Sequence, residues 1–242
     1  MSADLSGEGG VLPSSQMDHW YNAPRYDAQD PWQGFDPGRA ALILVDLINW
    51  QVDADGASIR AVRAAGLNGE ADYLVSRCKE TLLPNLGRLA AAARKAGARI
   101  VHARLASRHP DYQDIVPALR PYARAAGARD GTAACEPLPI LGADASDLSV
   151  IKTGSGAFGG SELDFLLRRQ GIDTLLYAGV LTDACVLLSV AGGFDLGYRQ
   201  YLVTDCTGTM SDERQARTEQ TIGYYLAELV TSGQAISALE GR

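Results

Sequence analysis

Short apolar runs alternate with amphipathic segments along most of the chain. The runs are typical of strands buried on both faces of a sheet, and six are predicted, at 41–45, 99–105, 148–152, 174–179, 199–204 and 229–231. Apolar residues at helical spacing predict helices between them, at 72–96, 162–170, about 183–197 and 212–226. Such alternation implies a parallel sheet with helices on both faces. We therefore predict an α/β fold, a single three-layer α/β/α domain around a mostly parallel sheet.

Parts of the chain interrupt this pattern. Residues 51–69 are predicted to form a long loop or short helix, and residues 107–147 to fold irregularly over one face of the domain. Pro84 is expected to divide the helix at 72–96 into two pieces, because proline cannot donate a helical hydrogen bond. Ser161 and Ser211 are expected to cap the helices that follow them.

The first 38 residues have a different composition from the rest. Aromatic residues stand among prolines, glycines and aspartates without a clear period: Trp20, Tyr21, Tyr26, Trp32 and Phe35. A disordered tail is one interpretation. So many aromatics favour an arm that packs on another surface, such as a second subunit. We therefore predict an arm at 1–38, a folded domain at 39–242 and a homo-oligomer, either a dimer or a tetramer.

Composition and charge narrow the possible partners. The chain of 242 residues has a net charge of −7 and no basic run, so nucleic acid and anionic membranes are poor candidates. No apolar run reaches the roughly 18 residues of a membrane span. The polar start lacks the features of a secretory signal, so a cytoplasmic location is expected. The four cysteines are widely spaced and form no zinc pattern with the three histidines.

Chemically active side chains follow several of the predicted strands. Asp46, Arg104 and Lys152 lie at or just after the ends of the first three strands, and Cys185 follows the fourth, where a helix begins. Because functional groups gather at the carboxyl ends of parallel strands, we expect these residues to converge. A helix N-terminus and a nearby ammonium would lower the pKa of a thiol. A carboxylate can take its proton, so the set would make a nucleophile.

Each residue alone has a simpler interpretation. Asp46 could be a loop carboxylate or helix cap, Lys152 a structural ion-pair partner, and Cys185 a small apolar filler of the core. Arg104 could hold a substrate carboxylate in a bidentate pair, or could be a surface arginine bonded to a nearby acid. The expected convergence of Asp46, Lys152 and Cys185 favours a catalytic role for these three residues over the simpler interpretations.

The same residues lie in segments that resemble a known family. The segment Gly179-Val-Leu-Thr-Asp-Ala-Cys-Val186 resembles the Gly-x-x-Thr-x-x-Cys-Val signature of isochorismatase-like cysteine hydrolases. Other stretches are similar to that family's first strand, its lysine segment and its next strand: 41–46, 150–158, 197–198 and 203–205. The resemblance runs in order from about 40 to 235.

The resemblance implies a fold and a mechanism. An isochorismatase-like enzyme of this kind would be an amidohydrolase that cleaves a small linear amide or N-carbamoyl (ureido) compound and releases ammonia. Cys185 would attack the carbonyl carbon and form a thioester, Asp46 would carry the proton, and Lys152 would hold both groups in place. The resemblance also implies a cis peptide at Val180–Leu181, with the Leu181 and Cys185 backbone N–H groups forming the oxyanion hole.

Departures from the family pattern point to one of its branches. The segment Asp46-Leu-Ile-Asn-Trp-Gln51 replaces the common Asp-x-Gln-x-x-Phe and looks more like the N-carbamoylsarcosine amidase branch. This would make Asn49 and Trp50 substrate contacts. The metal-binding Asp-x-His of nicotinamidases is replaced by Asp53-Ala-Asp55, which leaves His109 as a lone candidate. We therefore predict no catalytic metal and no cofactor.

Other interpretations remain open. Gly154, Gly156 and Gly159 form a Gly-x-Gly-x-x-Gly after a strand, the dinucleotide fingerprint of an oxidoreductase, although too little chain follows to complete such a sheet. A catalytically inactive binding protein, or an isochorismatase-type hydrolase of another small molecule that uses no thiol, is also possible. The presence of Asp46, Lys152 and Cys185 together argues against an inactive binding protein, and Cys185 itself argues against a hydrolase that uses no thiol.

Overall fold

Six parallel strands form the centre of the molecule in the computed structural model, which describes residues 30–242. The sheet order is β3-β2-β1-β4-β5-β6. The strands are β1 (Ala40–Val45), β2 (Arg99–Leu105), β3 (Leu148–Lys152), β4 (Thr174–Val180), β5 (Arg199–Gly208) and β6 (Glu228–Val230). From β1 the sheet extends through β2 to β3 on one side, and from β4 it extends through β5 to β6 on the other. The neighbouring β1 and β4 are therefore the point where an open α/β sheet binds ligands.

Nine α-helices surround the sheet in the described part of the chain. They are α1 (Asn49–Val52), α2 (Ala57–Ala64), α3 (Asn68–Arg77), α4 (Leu83–Ala96), α5 (Arg120–Ala126), α6 (Leu163–Arg169), α7 (Leu187–Asp195), α8 (Asp212–Tyr225) and α9 (Ser232–Leu239). Helices α6, α7 and α8 pack their apolar side chains on one face of the sheet, while α4 and α9 cover the other. The predicted three-layer α/β/α arrangement is therefore confirmed, and the sheet is entirely parallel.

The strands form where the apolar runs predict them. All six residues of β1 and all seven of β4 are buried, as expected for central strands covered on both faces. Gly97 ends α4 in a left-handed conformation with a φ of 84°. The Ser211 side chain accepts a hydrogen bond from the Arg214 backbone N–H and so caps α8, as predicted.

Several segments are more helical than their pattern predicts. Pro84 does separate α3 from α4, but through a wide π-helical turn at Cys78–Leu82 rather than a break. Where a long loop or short helix was predicted at 51–69, the chain forms the end of α1, all of α2 and the start of α3, and α5 lies within the irregular segment at 107–147. Helices α1, α2 and α5 are short, and α2 and α5 have three alanines each, so their apolar period is weak. The last helix, α9, was not predicted; the Thr231 side chain caps it.

The predicted arm falls largely outside the described residues. The chain divides into Met1–Gln33 and Gly34–Arg242 as separate units, so the second unit starts a few residues before the predicted boundary at 38/39. Of the first unit, residues 30–33 are described, and they begin a hydrogen-bonded turn. No helix between residues 30 and 242 has the length and apolar character of a membrane span.

Candidate active site

The structure brings Asp46, Lys152 and Cys185 together at the carboxyl edge of the sheet. Asp46 directly follows β1, Lys152 is the last residue of β3, and Cys185 lies five residues beyond β4. The Asp46 and Lys152 side chains are completely buried, and Cys185 is 8% exposed. Three remote parts of the sequence thus meet in one protected site, as their positions after parallel strands predict.

The end of β1 aims the Asp46 carboxylate into the site. Asp46 has a φ of 53°, a left-handed conformation that is uncommon outside glycine and that turns the chain as the strand ends. One carboxylate oxygen, Oδ1, accepts a hydrogen bond of 2.7 Å from the Leu105 backbone N–H. The other, Oδ2, lies 2.8 Å from Lys152 Nζ. The backbone of β2 and the lysine together fix the carboxylate.

The Lys152 ammonium is surrounded by oxygen acceptors. In addition to Asp46, it donates hydrogen bonds to the carbonyls of Gly154 at 3.2 Å and Ser155 at 2.8 Å. Burial lowers the pKa of Lys152, but the negative charge of Asp46 and then the Cys185 sulfur outweigh this effect and raise it. The lysine is therefore a stable cation, and the glycine-rich segment after β3 folds back to bind it.

The Cys185 thiol is a weak acid in the substrate-free site. Burial and then the Asp46 carboxylate raise its pKa to about 12, although Lys152 acts in the opposite direction. The expectation of a lowered thiol pKa was therefore wrong. That expectation rested on a helix N-terminus and a nearby ammonium, whereas Cys185 lies buried in a π-helical turn at Thr182–Val186 beside a carboxylate. At neutral pH the thiol keeps its proton until a base removes it.

Buried hydrogen bonds hold the cysteine turn against its neighbours. The Thr182 hydroxyl donates to Gln215 Oε1 at 2.8 Å, which ties the turn to α8. The Ser189 hydroxyl donates to the Cys185 carbonyl at 2.6 Å and accepts from the Ala157 N–H at 2.9 Å. Ser189 therefore links the cysteine turn to the segment that binds Lys152. Gln215 and Ser189 could not be identified from the sequence, because a single polar residue in a helix gives no distinguishing signal.

Gly179 allows β4 to approach the end of β1. It has a φ of +129°, and a Cβ atom there would lie 2.1 Å from the Val45 carbonyl oxygen, directly before Asp46. The glycine of the cysteine signature therefore has a steric role. A side chain at this position would push apart the two strands that carry Asp46 and Cys185.

We accordingly expect Gly179→Ala to lower the free energy of unfolding by about 1–3 kcal/mol, because the added methyl cannot be accommodated without moving β1. Urea denaturation would measure this loss. Gly69→Ala, in α3 where a Cβ meets open space, is the matched control and should stay within about 1 kcal/mol of wild type. Equal stability of the two variants would disprove the steric role of Gly179.

A cavity of about 360 Å³ opens above Cys185. Its floor includes Cys185, Leu181 and Ser155, and its walls come from α1, α2 and α5 together with Leu105 and Met210. The peptide bond between Val180 and Leu181 is cis, as the resemblance implies. The size lies at the lower end of the range of about 300–1,000 Å³ found for small-molecule sites.

The predicted substrate contacts lie in different places. Trp50 lines the cavity, with its indole N–H 3.4 Å from the Leu105 carbonyl. Asn49 instead donates from its side chain to the Ala133 carbonyl at 2.7 Å and does not line the cavity. Asn49 and Trp50 are adjacent in the sequence, and the polar pattern at the start of α1 could not show that only the Trp50 side chain lines the cavity.

Arg104 is engaged away from the cavity. Its guanidinium donates to Ser149 Oγ at 2.9 Å, to the Cys135 carbonyl at 2.9 Å and to Asp130 Oδ1 at 3.2 Å. Leu105, the next residue, faces the cavity, and Arg104 is not among the residues that line it. This geometry favours the alternative of a structural arginine, and a role of Arg104 in holding a substrate carboxylate stays an untested prediction.

The glycine-rich segment does not have the geometry of a dinucleotide site. After Gly159 the chain continues to Leu163 before α6 begins, so the glycines do not open a helix. The carbonyls of Gly154 and Ser155 face the Lys152 ammonium. A pyrophosphate site requires backbone N–H groups at a helix start. This segment instead presents backbone carbonyls that accept hydrogen bonds from Lys152.

Among residues 30–242, no three His, Cys, Asp or Glu side chains form a group that could hold a metal ion. The predicted independence from metals remains a prediction.

Comparisons with known proteins agree with the fold. The chain is 41% identical over 81 residues to the uncharacterized isochorismatase family protein YwoC of Bacillus subtilis, a match that covers 34% of this chain and 43% of YwoC. It is 26% identical over 152 residues to the maleamate amidohydrolase of Pseudomonas putida, covering 62% and 71% of the two chains. The matched segment thus spans less than half the length of YwoC.

Solved structures include a cysteine hydrolase from Pseudomonas syringae pv. phaseolicola with a TM-score of 0.70 and 22% identity, covering 86% of this chain and 95% of that one. This likeness concerns the fold. The isochorismatase domain model matches residues 40–234, which include all six strands and the Asp46, Lys152 and Cys185 positions. The chain belongs to the isochorismatase family.

Proposed function

We propose that this protein is a cysteine amidohydrolase that cleaves a non-peptide C–N bond of a small linear amide or N-carbamoyl compound. The observation that carries the proposal is a thiol on the floor of a small cavity, with a buried carboxylate and a buried ammonium, Asp46 and Lys152, packed beside it. The relative named maleamate amidohydrolase supports amide chemistry within the family. The sequence likeness to the N-carbamoylsarcosine amidase branch adds ureido compounds to the candidate substrates.

In the first half of the reaction, the Cys185 sulfur attacks the carbonyl carbon of the substrate while its proton moves to Asp46. The raised thiol pKa requires this base, because a free thiolate is scarce at neutral pH. The new C–S bond gives a tetrahedral oxyanion. Asp46 then passes the proton to the amide nitrogen, the C–N bond breaks, and ammonia leaves a thioester on Cys185.

In the second half, water attacks the thioester carbonyl as Asp46 takes its proton. The C–S bond breaks, the carboxylic acid leaves, and the proton returns to the sulfur. Lys152 stays charged throughout and holds the carboxylate 2.8 Å away. The backbone N–H groups of Leu181 and Cys185 are the proposed donors to the oxyanion in both halves.

Ammonia release from a panel of small amides and ureides tests the proposal. Turnover by the full-length protein, lost after alkylation of Cys185, would support it. Hydrolysis that is insensitive to thiol alkylation would instead indicate isochorismatase-type chemistry without a thiol.

We expect metal chelators to leave this activity intact, because every proposed proton and bond transfer uses Asp46, Cys185 or water. The measurement is kcat after dialysis against a chelator, compared with the untreated enzyme. A loss of activity that zinc or iron restores would show that the Asp53–Asp55 segment was misinterpreted.

A further inference from the structure

The cavity above Cys185 has an uncharged lining. Among residues 30–242, no Asp, Glu, Lys, Arg or His side chain lines it. Polar atoms come from neutral side chains, chiefly Gln51, Ser58 and Ser155. The walls are mainly alanine and larger apolar residues, so a substrate group that extends from Cys185 toward the mouth meets apolar surface.

Two short helices build these walls. Helix α2 contributes Ala57, Ala61 and Val62, and α5 contributes Tyr122 and Ala125. The two helices contact each other, so they form one continuous apolar wall. The small alanine side chains leave space for the substrate, and Tyr122 stands at the mouth, where it is 60% exposed.

Nearby cations are engaged elsewhere. Lys152 is bound by Asp46 and by two backbone carbonyls, as described above. Arg63 of α2 pairs with Asp72 at 3.0 Å. Arg104, which does not line the cavity, pairs with Asp130 at 3.2 Å. A carboxylate in the cavity would therefore lose water without gaining a cationic partner from these residues.

We propose that the site selects uncharged amides with an apolar acyl group and discriminates against amides that carry a carboxylate. This inference rests on the proposed amidase function and deepens it. Burial of a charge without a partner is strongly unfavourable, whereas an alkyl or aryl group gains free energy from apolar burial. The specificity would thus differ from that of the relative that acts on maleamate, the monoamide of a dicarboxylic acid.

A matched pair of substrates tests the specificity. Pentanamide and succinamate have similar lengths, but the first ends in an alkyl group and the second in a carboxylate. We expect wild-type kcat/KM for pentanamide to exceed that for succinamate by more than about tenfold, because the unpaired carboxylate must be desolvated. Equal or faster hydrolysis of succinamate would overturn the inference and leave the amidase function standing.

A second readout does not depend on turnover. Iodoacetamide and iodoacetate are alkylating agents of nearly the same size, one neutral and one anionic. The measured quantity is the rate of Cys185 alkylation by iodoacetamide divided by the rate with iodoacetate. This ratio, normalised by the same ratio for glutathione, should exceed about ten if the cavity rejects carboxylates. A normalised ratio of one or less would overturn the inference. If no amide or ureide of the panel released ammonia, the proposed function would fail, and this ratio would still decide whether the cavity rejects carboxylates.

Variants of Ala61 assign the effect to the cavity wall. Ala61→Lys and Ala61→Met introduce side chains of similar length, but only lysine adds a charge. We expect Ala61→Lys to lower the normalised ratio about threefold to fivefold relative to Ala61→Met, the size of a partly exposed ion pair. Ala64→Lys adds the same charge to α2 at a residue that does not line the cavity and should match wild type. Equal ratios in all three variants would contradict the proposal.

Discussion

Replacement of Cys185 by serine is expected to lower the rate of ammonia release by at least about 10³-fold while leaving the fold intact. A serine hydroxyl is a much weaker acid than a thiol, so Asp46 cannot activate it in the same way. The substitution changes one buried atom, and the cysteine turn keeps the hydrogen bonds from Thr182 and Ser189. Steady-state kinetics with the best amide found in the panel would measure the loss.

Two other buried thiols provide matched controls. Cys78 and Cys206 do not line the cavity, so their serine variants should keep kcat close to the wild-type value. A Cys185→Ser enzyme that retained most of its turnover would rule out nucleophilic catalysis by this residue. Loss of activity in all three variants would indicate instead that a general change in core packing is responsible.

The second large effect is expected at the buried ion pair. Lys152→Met should remove activity and also lower the free energy of unfolding by about 3–5 kcal/mol, because Asp46 is left as an unpaired buried charge. Asp46→Asn should reduce kcat by on the order of 10³-fold or more, since it removes the base that the thiol requires.

The double variant Asp46→Asn/Lys152→Met separates structure from catalysis. With both charges gone, most of the stability should return, because a buried pair is often replaceable by neutral groups. Activity should remain as low as in either single variant, because members of a catalytic unit are not additive. Recovery of activity together with stability would support the simpler interpretation of a structural ion pair.

The position of the site could be predicted from the sequence because it follows from topology. Asp46, Lys152 and Cys185 each follow an apolar run, and parallel strands bring such positions to one edge. The runs at 41–45 and 174–179 also predicted the two central strands, since continuous apolar sequence is required for burial on both faces. The glycine at position 179 was visible as part of a motif, but its contact with Val45 was not.

Properties that depend on tertiary surroundings could not be predicted. The Cys185 pKa was expected to fall from its position at a helix start, but burial and Asp46 raise it. Arg104 had a suitable position along β2, but the partners that hold it, Asp130 and Ser149, lie in distant segments. The cavity walls come from alanine-rich helices with little periodic signal, so their uncharged character emerged only from the fold.

Trapping of an acyl-enzyme tests the central claim most directly. Wild-type protein would be mixed with a hydrolysed amide, quenched in acid within the first turnovers, digested and examined by mass spectrometry. We predict the mass of the acyl group on the peptide that contains Cys185, in a bond cleaved by hydroxylamine, together with a stoichiometric burst of ammonia. Full turnover with no adduct on that peptide, or with the acyl group on another residue, would contradict the thioester mechanism.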